Sequence, residues 1–200
     1  MTTHCDVIIL AETWLPPDRL PDLILKWPLL ETLYNVNIIP PISQHSEGFV
    51  ILSQKHLSVL NIQIINEQSF TFVVSSVALP TPLTIAAVHA PATTSNARSD
   101  FFNSLSSLPD RIDILVGDFN MPFTLSGTRP DQIALLSLAS RHSLVHMESD
   151  PSNPLMSSRP RSNSLHYNII DYGFISSSLA DFCTPFSLLI CLLYTSDAAD

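Results

Sequence analysis

Asp118 and Asn120 stand two residues apart in Asp113-Ile114-Leu115-Val116-Gly117-Asp118-Phe119-Asn120. On an extended chain that spacing sends a carboxylate and a carboxamide to the same side. The carboxylate can take a proton or hold a divalent cation, and the carboxamide can hydrogen-bond a phosphoryl oxygen or orient a water. Glu12, in Leu10-Ala11-Glu12-Thr13-Trp14, is an acid that appears where another apolar run stops. His89, in Val88-His89-Ala90-Pro91, stands at the end of a third, and Asp171 lies inside Ile169-Ile170-Asp171-Tyr172-Gly173-Phe174-Ile175. A carboxylate in so apolar a context needs a partner, because an unpaired buried charge is costly. Plainer readings stand beside these. Gly-Asp and Asn are ordinary turn residues, Glu12 fits a solvated acid at a strand end, and a lone histidine there is more often a hydrogen-bonded structural residue than a catalyst.

Strand ends are needed to present these groups. The run 113–118 reads as a buried strand delivering polar groups to the mouth of a site. Residues 5–11 read as a short buried strand, and Pro16 and Pro17 enforce an extended turn soon after it. Four more strands follow over 48–52, 60–65, 69–79 and 83–88, joined by short polar or proline-containing links. That pattern predicts antiparallel hairpins, not alternating strand-helix units. Residues 18–33 carry only a weak helical pattern interrupted by Pro21 and Pro28. In the second half, Thr94 or Ser95 can cap a helix to about residue 108, with Phe101, Phe102 and Leu105 on its apolar face. Thr128, with Pro130 near the first helical position, starts another through about residue 140. Residues 157–168 form a polar stretch carrying Arg159 and Arg161, and 169–175 a last strand.

With 200 residues, 46% of them hydrophobic and 14% charged, the chain fits one domain with a substantial core and is not disordered. A net charge of −9 argues against a general electrostatic grip on nucleic acid, yet is compatible with an enzyme that neutralises phosphate through a bound metal. Cys5, Cys183 and Cys191 match neither a disulfide framework nor a zinc site, which favours an intracellular, reducing setting. No apolar run approaches the length of a membrane span, and no membrane partner is expected. Nothing in the sequence sets the oligomeric state.

Taken in order, Leu10-Ala11-Glu12-Thr13-Trp14, Gly48-Phe49-Val50-Ile51-Leu52, Val88-His89-Ala90-Pro91, Gly117-Asp118-Phe119-Asn120 and Ile170-Asp171-Tyr172 resemble the endonuclease/exonuclease/phosphatase superfamily. Deoxyribonucleases, abasic-site endonucleases, inositol-phosphate phosphatases, sphingomyelinases and the endonuclease domains of non-LTR retrotransposons belong to it. The resemblance implies a four-layer α/β sandwich of two mainly antiparallel sheets flanked by helices. It implies metal-dependent phosphodiester hydrolysis in which Glu12 holds magnesium, with manganese as a substitute. Asp118 then acts on the attacking water or the leaving oxygen, Asn120 binds the reacting phosphoryl group, and His89 contacts the scissile phosphate. Asp171 matches an acid that orients a catalytic histidine. Compact motifs and short loops look most like the endonuclease domain that accompanies a reverse transcriptase in mobile elements, with DNA as substrate and the nucleus as a candidate compartment. An inositol-phosphate or phospholipid phosphatase would use the same Glu12, Asp118 and Asn120, and a non-catalytic binding module is a third reading.

The sequence also departs from the family's pattern. The family's first strand, with a metal-side asparagine, has no counterpart before Glu12, and no Ser-Asp-His follows Tyr172. The expected domain is therefore a partial one over 1–190, incomplete at both ends and inactive or nearly so. Residues 191–200 (Cys-Leu-Leu-Tyr-Thr-Ser-Asp-Ala-Ala-Asp) look like translated sequencing adapter, not native protein.

Overall fold

A computed structural model of the chain describes residues 6–13, 27–28, 30–43, 48–125, 127–147 and 170–180, with Asp18, Pro21 and Leu25 besides. Three strands, β1 (Val7–Ala11), β2 (Tyr34–Ile39) and β3 (Phe49–Gln54), form an antiparallel sheet in the order β1-β3-β2. β3 is buried over Phe49 to Ser53, so both of its faces must be filled, and its sequence is apolar without alternation from Phe49 to Leu52. A six-stranded sheet contains β4 (Ser58–Asn66), β5 (Ser69–Ser75), β6 (Leu83–His89), β7 (Ile114–Asp118), β8 (Leu144–His146) and β9 (Asp171–Ser176), in the order β4-β5-β6-β7-β9-β8. All its neighbours are antiparallel except β6 and β7. Parallel neighbours need a crossover, and here it contains α2 (Ser95–Ser104).

The expected run of four hairpin strands is thus divided. The last three make the β4-β5-β6 meander, whereas the first, β3, sits in the other sheet between β1 and β2. The physical reason is that both of its faces are filled by different layers: Phe49 and Ile51 pack on the larger sheet, and Val50 and Leu52 on the far side with Leu30 of α1. β2 and β8 have no counterpart in the sequence reading.

Four helices stand among the described residues: α1 (Leu30–Leu33), α2, α3 (Pro130–Arg141) and α4 (Ser177–Ala180). Thr94 caps α2, its hydroxyl accepting from the Ala97 amide at 3.2 Å. α2 ends earlier than expected, in a 3-10 turn over Leu105–Ser107. α3 opens with Pro130, whose missing N–H has no helical partner to lose there.

The faces of the sheets sort the core into layers. Ala86, Val88, Leu115, Tyr172 and Phe174 pack outward on Phe101, Phe102, Leu105, Leu135 and Leu138 of the helical layer. On the opposite face, Phe70, Phe72, Ile85, Ala87 and Val116 meet Ala11, Ile39, Phe49 and Ile51 of the smaller sheet. The far face of that sheet buries Leu10, Val50 and Leu52 with Leu30 of α1 packed against them. This is the expected α/β sandwich of two mainly antiparallel sheets. No helix among the described residues is long and apolar enough to cross a membrane. The Arg159/Arg161 stretch and residues 191–200 lie outside the described residues.

Candidate active site

The inner faces of the two sheets end together, and the polar residues appear where the apolar filling stops. Along β6 the inward positions are Ile85, Ala87 and then His89; along β7 they are Ile114, Val116 and then Asp118. Register makes His89 the neighbour of Asp118, and Asp118 the partner of Asp171 on β9. A row of three titratable residues therefore crosses three adjacent strands at one end of the sheet. Glu12, directly after β1, approaches this row from the smaller sheet.

Two contacts define the mouth between the sheets. His89 Nε2 lies 3.5 Å from Glu12 Oε1 and 3.9 Å from Asp118 Oδ2. His89 and Asp118 are buried, while the Glu12 side chain keeps 27% of its surface in solvent. Asp118 Oδ1 accepts from the Asn120 amide at 2.7 Å, which fixes the carboxylate and aims its other oxygen at His89. Asn120 Nδ2 donates to the Ala90 carbonyl at 2.7 Å, leaving its second N–H and its Oδ1 to other partners.

The backbone is unusual at two of these residues. Glu12 (φ 54°) and Asn120 (φ 49°) adopt the left-handed conformation, tolerable for asparagine and costing about 1–2 kcal/mol for a residue such as glutamate. Gly117, with φ 152°, explains why the motif needs a glycine: a Cβ there would fall 1.8 Å from the Val88 carbonyl oxygen and drive β7 off β6. The Phe119 ring, fully buried, stacks on Tyr172 at a centroid distance of 4.3 Å and 12° between planes. The Gly-Asp-Phe-Asn and Ile-Asp-Tyr motifs are thus joined by ring packing on one face and by the Asp118-Asp171 register on the other. Burial, and after it the Asp118 and Asp131 carboxylates, push the Tyr172 hydroxyl well above its usual range, so it stays neutral and is no base.

Among the described residues, no group of three or more His, Cys, Asp or Glu is arranged to cage a metal. The donors present instead suit a hard cation that keeps most of its waters. Magnesium is commonly held by one or two carboxylates, with water and phosphate oxygens filling the remaining positions, and Glu12 offers a partly exposed carboxylate at the rim.

All five residues singled out in the sequence therefore gather at one end of the sandwich. Not foreseen was the support behind them. Asp131, fully buried at the start of α3, receives Arg98 from α2 and Arg129 beside it. Asp131 is locally no more than an acid in the first turn of α3, and Arg98 lies too far away in sequence for spacing to couple them.

The chain belongs to the endonuclease/exonuclease/phosphatase family, whose sequence pattern matches residues 2–185. No curated protein matches it by sequence. Among solved structures, the endonuclease domain of TRAS1, a telomere-specific non-LTR retrotransposon, is similar with a TM-score of 0.57 and 11% identity, covering 88% of each chain. TDP2 of D. rerio, complexed with single strand DNA product, gives 0.53 and 13% over 86% of this chain and 72% of its own. Sphingomyelinase C from Streptomyces griseocarneus gives 0.53 and 15% over 88% and 72%. At these identities the likeness is one of fold.

Proposed function

We propose that the chain is a divalent-metal-dependent phosphodiesterase domain that cuts DNA, of the kind that accompanies a reverse transcriptase in mobile elements and works inside the cell. The observation that carries this reading is the convergence of Glu12, His89, Asp118 and Asn120 on one mouth between the two sheets. The matching extent of the TRAS1 domain supports it as an analogy of fold.

Glu12 would hold magnesium or manganese, which supplies charge neutralisation at the phosphoryl oxygens. Asn120 directs its second N–H to a non-bridging oxygen, and His89 contacts the same phosphate. Asp118 Oδ2 handles the proton: water oxygen bonds to phosphorus, the bond to the leaving oxygen breaks, and a proton ends on that oxygen. Asp171 is one step removed, an orienting acid for a histidine. No histidine follows Tyr172 in this chain, so the 200 residues alone should turn over slowly. Loss of a general acid or base typically costs about 10²- to 10⁴-fold.

Charge favours a second reading. The chain carries 9 Lys and Arg against 18 Asp and Glu, and among the described residues Arg98, Arg111 and Arg129 are paired with Asp131 or Asp113, an unfavourable balance for a general grip on a duplex. A phosphorylated small molecule or phospholipid headgroup needs fewer phosphate contacts. A binding module without catalysis is disfavoured by the intact Glu12, Asp118 and Asn120.

The test is a magnesium-dependent assay on plasmid DNA, an abasic-site duplex and an inositol polyphosphate, using the chain alone and a version given a Ser-Asp-His segment after Tyr172. DNA cleavage by the extended version is expected, with much slower cleavage by the chain alone. Hydrolysis of the inositol polyphosphate without DNA cleavage would move the assignment to the second reading.

A further inference from the structure

We infer that Arg98 is a positioning residue for Asn120, acting through the corner that joins β6 to α2; this rests on the proposed role of Asn120 toward phosphate. Arg98 sits near the start of α2, buried, and each of its three guanidinium nitrogens has a partner. Nε donates to Asp131 Oδ2 at 2.9 Å, and Nη2 forms an ion pair with the same oxygen at 2.9 Å. Nη1 donates to the Thr93 carbonyl at 3.0 Å and approaches that of Pro91 at 3.5 Å. The corner held in this way is the one whose Ala90 carbonyl accepts Asn120 Nδ2, and whose Ala90 amide donates to the Asp118 carbonyl at 2.7 Å. One side chain therefore fixes the segment that carries His89 into the corner and receives the Asn120 carboxamide on the way out.

Adhesion between the helices does not require this arginine. The packing of α2 and α3 on the sheet is already apolar, through Phe101, Phe102, Leu105, Leu135 and Leu138. A buried ion pair adds little to such packing, because its desolvation offsets most of its attraction. What the guanidinium adds is direction. Its planar fork can grip a carboxylate on one edge and main-chain carbonyls on another, which a lysine ammonium on a flexible stem cannot do at once. Asp131 locks the fork, with Arg129 at 3.2 Å as a second partner that keeps the carboxylate paired if Arg98 is altered.

The test reads the Asn120 carboxamide in the full chain by ¹⁵N NMR, its NH₂ signals assigned by their loss in Asn120→Ala. In Arg98→Lys those signals should move toward free-amide positions and exchange faster, while the main-chain amides of β5 stay in place. Inorganic phosphate, titrated in the presence of magnesium, should bind about five- to tenfold more weakly, the worth of roughly one hydrogen bond. Magnesium affinity alone, set by Glu12, should not change; a merely structural defect would lower both together. If Arg98→Lys fails to fold, Asp131→Asn serves instead, since it unlocks the fork while leaving the carbonyl contacts, and it should shift the Asn120 signals part of the way. Asn120 signals unmoved in a folded variant would overturn the inference. Signals that move in a protein binding no phosphate would leave Arg98 positioning Asn120 but remove the function proposed for the site.

Discussion

The two acids at the mouth differ in what already holds them. Asp118 is buried, with one oxygen tied to the Asn120 amide, so a substitution there changes a group whose position the chain has fixed. Glu12 is partly solvated at the rim, where its role is to present charge. In the extended protein, Glu12→Gln should raise the magnesium concentration needed for activity, and added metal should recover part of the rate. Asp118→Asn should lose about 10²- to 10⁴-fold that no amount of metal restores. Magnesium titrations of both variants decide this, and equal rescue of the two would refute the division of roles. Tyr172 shows the opposite situation, a motif residue whose polar atom is idle. Its hydroxyl is buried with no hydrogen-bond partner among the described residues, while its ring stacks on Phe119. Burying an unsatisfied hydroxyl costs about 1–3 kcal/mol, so Tyr172→Phe should leave the melting temperature unchanged or raise it. A clear fall in thermal unfolding temperature would show that the hydroxyl has a partner.

At the scale of elements, the site depends on how β6, β7 and the helices between and after them are clamped. Gly117 lets β7 approach Val88, and the Arg98-Asp131 pair ties α2 to the start of α3. Burial opposes ionisation of Asp131, yet the Ser95 hydrogen bond and the Arg98 and Arg129 guanidiniums together hold its pKa below the usual 3.8. A depressed carboxylate stabilises the fold above its unfolded pKa and loses that contribution as pH falls through the folded value. Asp131→Asn should therefore cost on the order of 3 kcal/mol near neutrality, as breaking a buried pair does. The difference from wild type should shrink as pH drops below 3.8, which thermal melts across that range would reveal. A gap that stays constant with pH would mean the pair contributes nothing through its charge. β2 and β8 escaped notice for different physical reasons. β2 alternates Asn35 and Asn37 with Val36 and Ile38 but is mostly half-buried and follows directly on α1 with no turn residue to mark its start, while β8 is a three-residue edge strand defined by its pairing with β9.

Across the whole molecule, what could be read from the sequence was the order of the strand ends that carry chemistry. Glu12, His89, Asp118 and Asp171 each interrupt or close an apolar run, and the interruption is local. Which sheet a strand joins is not local: β3 pairs with β1 and β2 because of partners distant in the chain, and the Arg98-Asp131 clamp depends on the same long-range closure. The site inherits this division, since Glu12 comes from the smaller sheet while His89, Asp118 and Asn120 belong to the larger. Its geometry therefore rests on the core between the sheets more than on the core beneath the helices. Phe72 fills the first and Phe102 the second, both almost fully buried. Truncating either to alanine should cost about 3–5 kcal/mol, lowering the melting temperature by similar amounts. Only Phe72→Ala removes filling that keeps the two sheets in register at the mouth, so it should weaken magnesium binding at temperatures where both variants remain folded. Phe102→Ala should leave the Glu12-His89 approach, and with it magnesium affinity, as in the wild type. Calorimetric magnesium titrations beside thermal melts separate the outcomes. Equal losses of affinity at equal losses of stability would mean that the site responds to global stability and not to the seam between the sheets.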